Sequence, residues 1–497
     1  MFTGKQEQDT GRLVTGENLA ILAGSAILAI GYDILIAQPY VGVSYPVFIF
    51  IMLSVVYGNA RKMLVKEWSF GWFLLFPLIA LALTRLFFTN EVFRCINSIA
   101  VPILLVAHIL LVTGNNSREW FCFGFLKEIC GHLIVSPLRH VRKPFVLIGA
   151  LARRENDIGS RSVWRKVILG IIFSFPFLIV VLVLLASADP VFSFYISYFL
   201  QEISIEEVVK HALLIGLITP MAFSFIWQLS LGTEPAPDTA GTRKLDAIVV
   251  ISGLCVLSSV YLIFCSIQFS YLFGSFSNVL PSGLSYADYA RRGFFELVAV
   301  ALINAGIVLG VIRFTVTPGH RAALTLQWLN SLLIFSTFVM LFSAHFRMTL
   351  YEESYGYTYL RFFTHSFMAM IFVMLCVTGY KVWRAGINLA KWYIVIGLAA
   401  YVLINYVNVD TLIARKNMER FYRTGVIDVC YMAGLSYDAL PYLAELTKAS
   451  DPLIQQTARE QIILKSLKTF DSSNWQGYNL SEQRARDTLQ GLSAQQF

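Results

Sequence analysis

Ala247-Ile-Val-Val-Ile-Ser-Gly-Leu-Cys-Val-Leu-Ser-Ser-Val-Tyr-Leu-Ile-Phe-Cys-Ser-Ile267 is a run of 21 residues without one charged side chain. At about 1.5 Å per residue, a helix of that length crosses the roughly 30 Å hydrocarbon layer of a bilayer. A lone strand would leave its backbone N–H and C=O groups unpaired in lipid, so the run is read as a helix. Ten further segments share this character. In order, the eleven are about 18–37, 39–58, 69–89, 95–114, 166–187, 208–231, 245–267, 293–312, 325–345, 359–380 and 392–409. The first lacks a small-residue cleavage pattern and is therefore read as a membrane helix rather than a signal core.

The whole chain agrees with these segments. Of its 497 residues, 57% are hydrophobic and 14% charged, and the mean hydropathy is +0.64. Soluble domains carry about 25% charged residues. A soluble enzyme and a disordered chain are both excluded. The formal net charge of +8 points to membrane orientation rather than to nucleic acid, because Lys and Arg collect on one side of a bilayer. The seven cysteines show no C-x-x-C spacing and are read as buried free thiols. The expected fold is thus all-α: a polytopic integral membrane protein of about eleven transmembrane helices, with a small C-terminal helical region outside the membrane.

The connections set the orientation. With 1–17 in the cytoplasm, the inner connections carry 22 Lys and Arg residues, among them Arg61, Lys62, Arg142, Lys143, Arg153, Arg154, Arg243 and Lys381. The outer ones carry four, Arg94, Arg291, Arg292 and Arg347. Eleven crossings then leave the tail, 411–497, outside. Between the helices of 18–114 and those of 166–410 lies a long inner loop, 115–165. There Phe123, Phe125, Leu126, Ile129, Leu133 and Ile134 interleave with Lys127, His132, Arg139 and Arg142. That pattern suits a helix lying among anionic headgroups. The tail holds ten Lys or Arg against nine Asp or Glu, and Ser436, Asp451 and Ser481 stand where helix N-caps would. Four or five short helices are expected there.

Ionisable residues within spans are costly to insert and mark a cavity, a pair or a pathway. Asp33, Arg85, Glu296, His345, Arg361 and His365 all fall towards the outer ends of their segments, and only His108 lies towards the inside. Asp33 and Arg85 are candidates to neutralise each other. Asp189 ends the fifth segment and begins an outer loop rich in aromatics, with Phe192, Phe194, Tyr195 and Tyr198. Ser285 and Asp288 have capping-box spacing, and Asp288, Arg292 and Glu296 recur every four residues as an acid–base–acid ladder. These nine residues, Asp33, Arg85, Asp189, Asp288, Arg292, Glu296, His345, Arg361 and His365, form the candidate ligand-binding set at the outer leaflet. Phosphate-loop, HExxH and GxSxG patterns do not occur. No catalytic residue, metal or cofactor is assigned, and a carboxylate–histidine pair such as Glu296 with His365 is the nearest thing to acid–base machinery.

Several segments carry a family resemblance: Ser187-Ala-Asp189-Pro190-Val-Phe192, then Tyr286-Ala-Asp288-Tyr289-Ala-Arg-Arg292-Gly-Phe-Phe-Glu296. In the tail they are joined by Asn417-Met-Glu-Arg420-Phe-Tyr422, Leu435-Ser-Tyr-Asp438-Ala-Leu-Pro441 and Trp475-Gln-Gly-Tyr-Asn479-Leu-Ser481. The chain resembles the bacterial multi-pass proteins grouped as domain of unknown function 4153/4173. The resemblance implies a bacterial plasma-membrane location and transfers no catalytic residue. The function expected is that of a non-enzymatic envelope sensor or accessory protein, in contact with membrane lipids and a signalling or transport partner, and with no nucleic acid. A secondary transporter and a membrane transferase or hydrolase acting on a lipid-linked substrate are the alternatives. The absence of a visible repeat and the high placement of the polar groups weigh against transport.

Overall fold

The computed structural model describes residues 14–154, 180–199, 205–232, 245–273, 294–316, 319–467 and 474–495, apart from Lys66 and Ala385, and four isolated positions between 170 and 178. The chain is all-α, with only a two-residue parallel pairing of β1 (Leu245–Asp246) with β2 (Thr315–Val316) among these residues. Nine helices are long and apolar enough to span a membrane among the described residues. They are α1 (Gly16–Leu35), α3 (Phe70–Phe87), α4 (Glu91–Val112), α8 (Ile205–Ser230), α9 (Ala247–Phe273), α10 (Phe294–Phe314), α11 (His320–Tyr355), α12 (Tyr359–Trp383) and α13 (Leu389–Tyr406). The second expected segment is α2 (Ser44–Asn59), apolar but of 16 residues. Of the fifth, 166–187, positions 170, 174, 177, 178 and 180–187 are described, all helical, and the rest lie outside the described residues.

Between α4 and the fifth segment, the chain forms a hairpin. Its first arm is α5 (Phe123–Cys130), continued by a π-turn (Gly131–Val135) and a last turn to Arg139, and its second is α6 (Lys143–Arg154). Neither arm is among the spanning helices. The aromatic stretch after Asp189, expected as loop, is helix α7 (Pro190–Phe199), with Pro190 in its first turn and Asp189 Oδ1 accepting from Val191 N at 2.8 Å.

Two compact units divide the chain: residues 1–87, 94–236 and 471–479 make the first, and residues 88–93, 237–470 and 480–497 the second. Each unit therefore contains a short piece drawn from the other's stretch of sequence. In the first, α8 packs along α1, and α2 packs on both α1 and α3. In the second, α11 is the central post, with α9, α10 and α12 against it and α13 against α12. Inside that group Tyr261 Oη donates to Asn304 Oδ1 at 2.7 Å, and Asn304 Nδ2 donates to Thr337 Oγ1 at 3.0 Å. In lipid such side chains find partners across helices, and here three helices are joined by them.

The sequence ended the ninth segment at 345, but α11 runs ten residues further, to Tyr355. Phe346–Tyr355 is too polar to register as membrane span, yet nothing in it breaks a helix until Gly356, whose φ of +88° ends it. A Cβ there would stand 2.8 Å from Asn417 Oδ1. At 36 residues α11 is about 54 Å long, more than a bilayer's hydrocarbon needs.

The tail holds five helices among its described residues: α14 (Val409–Thr424), α15 (Val429–Gly434), α16 (Leu440–Leu446), α17 (Pro452–Leu467) and α18 (Leu480–Gln495). Asp451 caps α17 as expected, its Oδ1 accepting from Leu453 N at 2.8 Å. Ser436 and Ser481 do otherwise: both hydroxyls donate to Asp438. The tail core, with Ile413, Met418, Met432, Leu440, Leu443 and Ile462, includes Phe93 from the first turn of α4, next to the α3–α4 connection. Tyr357 and Tyr359, from the α11–α12 connection, pack on it. Those two connections and the tail therefore lie on one side of the second unit. The thiols are free, but six of the seven are exposed on the protein surface and only Cys265 is buried.

Candidate functional site

α11 and α12 bring together two of the expected residues and add one. His345 and His365 meet through their Nδ1 atoms at 2.8 Å, with ring centroids 4.6 Å apart. His365 Nε2 then reaches Glu352 Oε2 at 3.1 Å. Glu352 sits seven residues, two turns, beyond His345 on the same face of α11, and is 6% exposed. His345 is exposed. The result is a chain of three groups with exchangeable protons, running from a buried carboxylate to a surface imidazole. The hydrogen bonds follow one another in line rather than converging on a point, and no cluster of three metal-binding side chains occurs among the described residues. Arg361 lies one turn before His365 on α12. Its guanidinium stacks 4.3 Å over the Tyr351 ring and donates to Gly356 O. No carboxylate pairs with it among the described residues.

The remaining candidates have other partners. In the first unit Asp33, 7% exposed, is bonded not to Arg85 but to His211 Nδ1 of α8, at 2.6 Å. Arg85 donates to Arg94 O at 3.1 Å and to Ser98 Oγ at 2.6 Å, and lies 5.3 Å over the Tyr45 ring. The α1–α8 packing decides that exchange, since it sets His211 beside Asp33. Glu296 is exposed in the first turn of α10, where a carboxylate suits the helix dipole. The carboxylate on His365 is Glu352 rather than Glu296. Asp288 and Arg292, and with them Ser285, lie outside the described residues. Asp189 caps α7. His108 is fully buried, with Nδ1 at 2.6 Å from Gly71 O and Nε2 bonded to Tyr57 Oη. Both its ring nitrogens are engaged, as for a histidine that holds helices together.

A second polar centre escaped sequence reading altogether. Asp410, 1% exposed, accepts from Tyr359 Oη, from Asn90 Nδ2 at 2.6 Å and from Ser436 N at 3.1 Å. Asp438 accepts from Thr89 N at 3.0 Å, Thr89 Oγ1 at 2.8 Å, Asn408 Nδ2 at 3.1 Å and the hydroxyls of Ser436 and Ser481. All of these donors are neutral. The two carboxylates are filled by donors, which makes them fasteners of the tail to the 88–93 connection rather than a cation site. Beside them burial pushes the Tyr431 phenol above its usual range, so it stays neutral and its oxygen accepts from Tyr359 N at 3.0 Å. Burial first, and then Glu352, also raises Tyr357, whose backbone N–H and C=O are both bonded at 2.8 Å by the Asn417 amide.

Among known proteins, the model of a family described as a domain of unknown function (DUF4153) matches residues 75–446. No curated protein and no solved structure shows a significant match.

Proposed function

For a chain that belongs to the DUF4153 family, a domain of unknown function, we propose the role of a non-enzymatic sensor or accessory protein of the bacterial plasma membrane. It binds an anionic ligand, lipid headgroup or partner at the outer end of α11 and α12. One observation carries this reading: the Glu352–His365–His345 chain ends on an exposed imidazole, one turn from an arginine without a carboxylate partner. The Arg361 guanidinium beside the exposed His345 ring offers donors to an anion. The test is native mass spectrometry of the full chain purified with its membrane lipids. An adduct should be present in the wild type and depleted about tenfold or more in His345→Ala and Arg361→Gln, as loss of a charge-assisted contact of about 1.5–3 kcal/mol requires. If those variants lose only thermal stability and keep the same adducts, the reading fails.

The same Glu352–His365 pair, at 3.1 Å, favours a second reading, acid–base chemistry on a lipid-linked substrate. Glu352→Gln separates the two. It would abolish turnover in a hydrolase or transferase, whereas a binding site keeps its ligand.

In this reading the N-terminus is cytoplasmic and the tail extracytoplasmic, as supported by the Lys and Arg bias of the connections. An alkaline phosphatase fused after Phe497 should therefore be active, and a cytosolic fluorescent reporter at the same point dark. The reverse result would invert the arrangement and place the His345 site in the cytoplasmic leaflet.

A further inference from the structure

The hairpin of α5 and α6 turns apolar side chains both ways. Phe125, Ile129 and Leu147 are buried against the protein, while Phe123, Leu126, Ile134, Val135 and Leu138 are exposed, Phe123 by 74% and Ile134 by 62%. An α-helix does not put three successive residues on one face. The π-turn at Gly131–Val135 does so here: Leu133, Ile134 and Val135 are all exposed, and the outward apolar face is widened by the extra residue. The hairpin is also held in place. Ser224 Oγ of α8 donates to Ser136 O at 2.5 Å and accepts from His140 N at 2.9 Å, and His140 Nε2 lies 2.9 Å from Gln228 Oε1. Asn115, just past α4, donates to Leu229 O at 2.9 Å. The hairpin is thus pinned at the level where the spanning helices α4 and α8 end.

Charge says what covers the outward face. Residues 118–154 carry seven Lys or Arg against two carboxylates, and one of the two, Glu128, is taken by Ser117 N and Oγ. Lys127, Arg139 and Arg142 are exposed, and none pairs with a carboxylate among the described residues. A wide apolar face at the end of membrane helices, rimmed by unpaired cations, matches acyl chains below and phosphate above.

We propose that this face is a seat for anionic phospholipid: Ile134, Val135 and Leu138 lie among acyl chains, and Lys127, Arg139 and Arg142 hold the phosphate headgroups. The seat is independent of the His345 site, and its test touches none of that site's residues. Full-length protein carrying a benzophenone side chain at Ile134 is placed in nanodiscs of equal phosphatidylglycerol and phosphatidylcholine and irradiated. The adduct should weigh one phospholipid, with phosphatidylglycerol captured about fivefold or more over phosphatidylcholine, the factor expected even for one cation at a membrane surface. In the Lys127→Gln, Arg139→Gln, Arg142→Gln variant lipid should still be captured, which reports a folded hairpin, but the preference should fall towards one. Cross-linking to a second copy or another protein, absence of any adduct, or equal capture of both lipids by the wild type would overturn the seat.

Discussion

Asp410→Ala should destabilise the protein by about 3–5 kcal/mol, read as a fall in thermal midpoint and as rapid protease cleavage within the tail. Hydrogen bonds to a charged acceptor contribute about 1.5–3 kcal/mol each, and removing the acceptor leaves its donors unpaired in a buried site. Three donors would be stranded: Tyr359 Oη, Asn90 Nδ2 and Ser436 N. They come from three separate stretches of chain, so no single rotation can repair them, and their losses are not fully additive. Asp410→Asn should cost less, about 1–3 kcal/mol, because its amide oxygen can still accept from Tyr359 Oη and Ser436 N while its NH2 leaves only Asn90 Nδ2 without an acceptor. Tyr359→Phe, which removes one of the three donors and an acceptor that Asn90 Nδ2 can exchange for Asp410, should cost only about 1–2 kcal/mol. Equal midpoints for wild type and Asp410→Ala would show that the tail is held by its apolar core alone.

The second large effect is expected from a single methyl group. In the first unit the 474–479 segment lies along the α1–α2 connection: Gly42 N donates to Gln476 O at 2.9 Å and Val43 N to Tyr478 O at 3.0 Å. A Cβ on Gly42 would sit 2.3 Å from Tyr478 O and 2.7 Å from Gly477 O. These are backbone atoms and cannot swing aside as a long side chain would. Gly42→Ala should therefore displace the segment, breaking both bonds and exposing Asn479, which donates to Arg85 O at 2.7 Å. The expected loss is about 2–4 kcal/mol, from two or three bonds at about 1 kcal/mol each plus overpacking strain. A cysteine at Gln476, probed with a water-soluble maleimide, should become several-fold more reactive in the Gly42→Ala background. Gly58→Ala, at a position where an added Cβ meets nothing within 4 Å, should leave that reactivity unchanged.

The spanning helices were legible because length and apolarity are local properties, readable in a window of twenty residues. What reads poorly is whatever leaves the hydrocarbon. The last turns of α11 carry Arg347, Glu352 and Glu353, which lower hydropathy without breaking a helix, so Glu352 was hidden in what resembled a loop. His211 was within reach, since it lies four residues inside the 208–231 segment, at the same end of the span as Asp33. The Asp410 and Asp438 fasteners had no such signal. Their partners are neutral side chains and backbone amides 320 and 349 residues away in the case of Asn90 and Thr89. Neutral donors at that separation leave no charge pattern or spacing to find. Of the nine candidate residues, His345 and His365 are brought together, with Arg361 a turn away, because α11 and α12 are antiparallel neighbours joined by a three-residue connection.

The fasteners also constrain biogenesis. Thr89 and Asn90 emerge early during synthesis, but the carboxylates that satisfy them, Asp438 and Asp410, emerge more than three hundred positions later. Until Asp410 and Asp438 emerge, the α3–α4 turn carries donors without their carboxylates, a mark of incompleteness that membrane chaperones and proteases can recognise. A chain truncated before Val409 would carry that mark permanently, so premature stop products should be degraded rather than accumulate beside the finished protein.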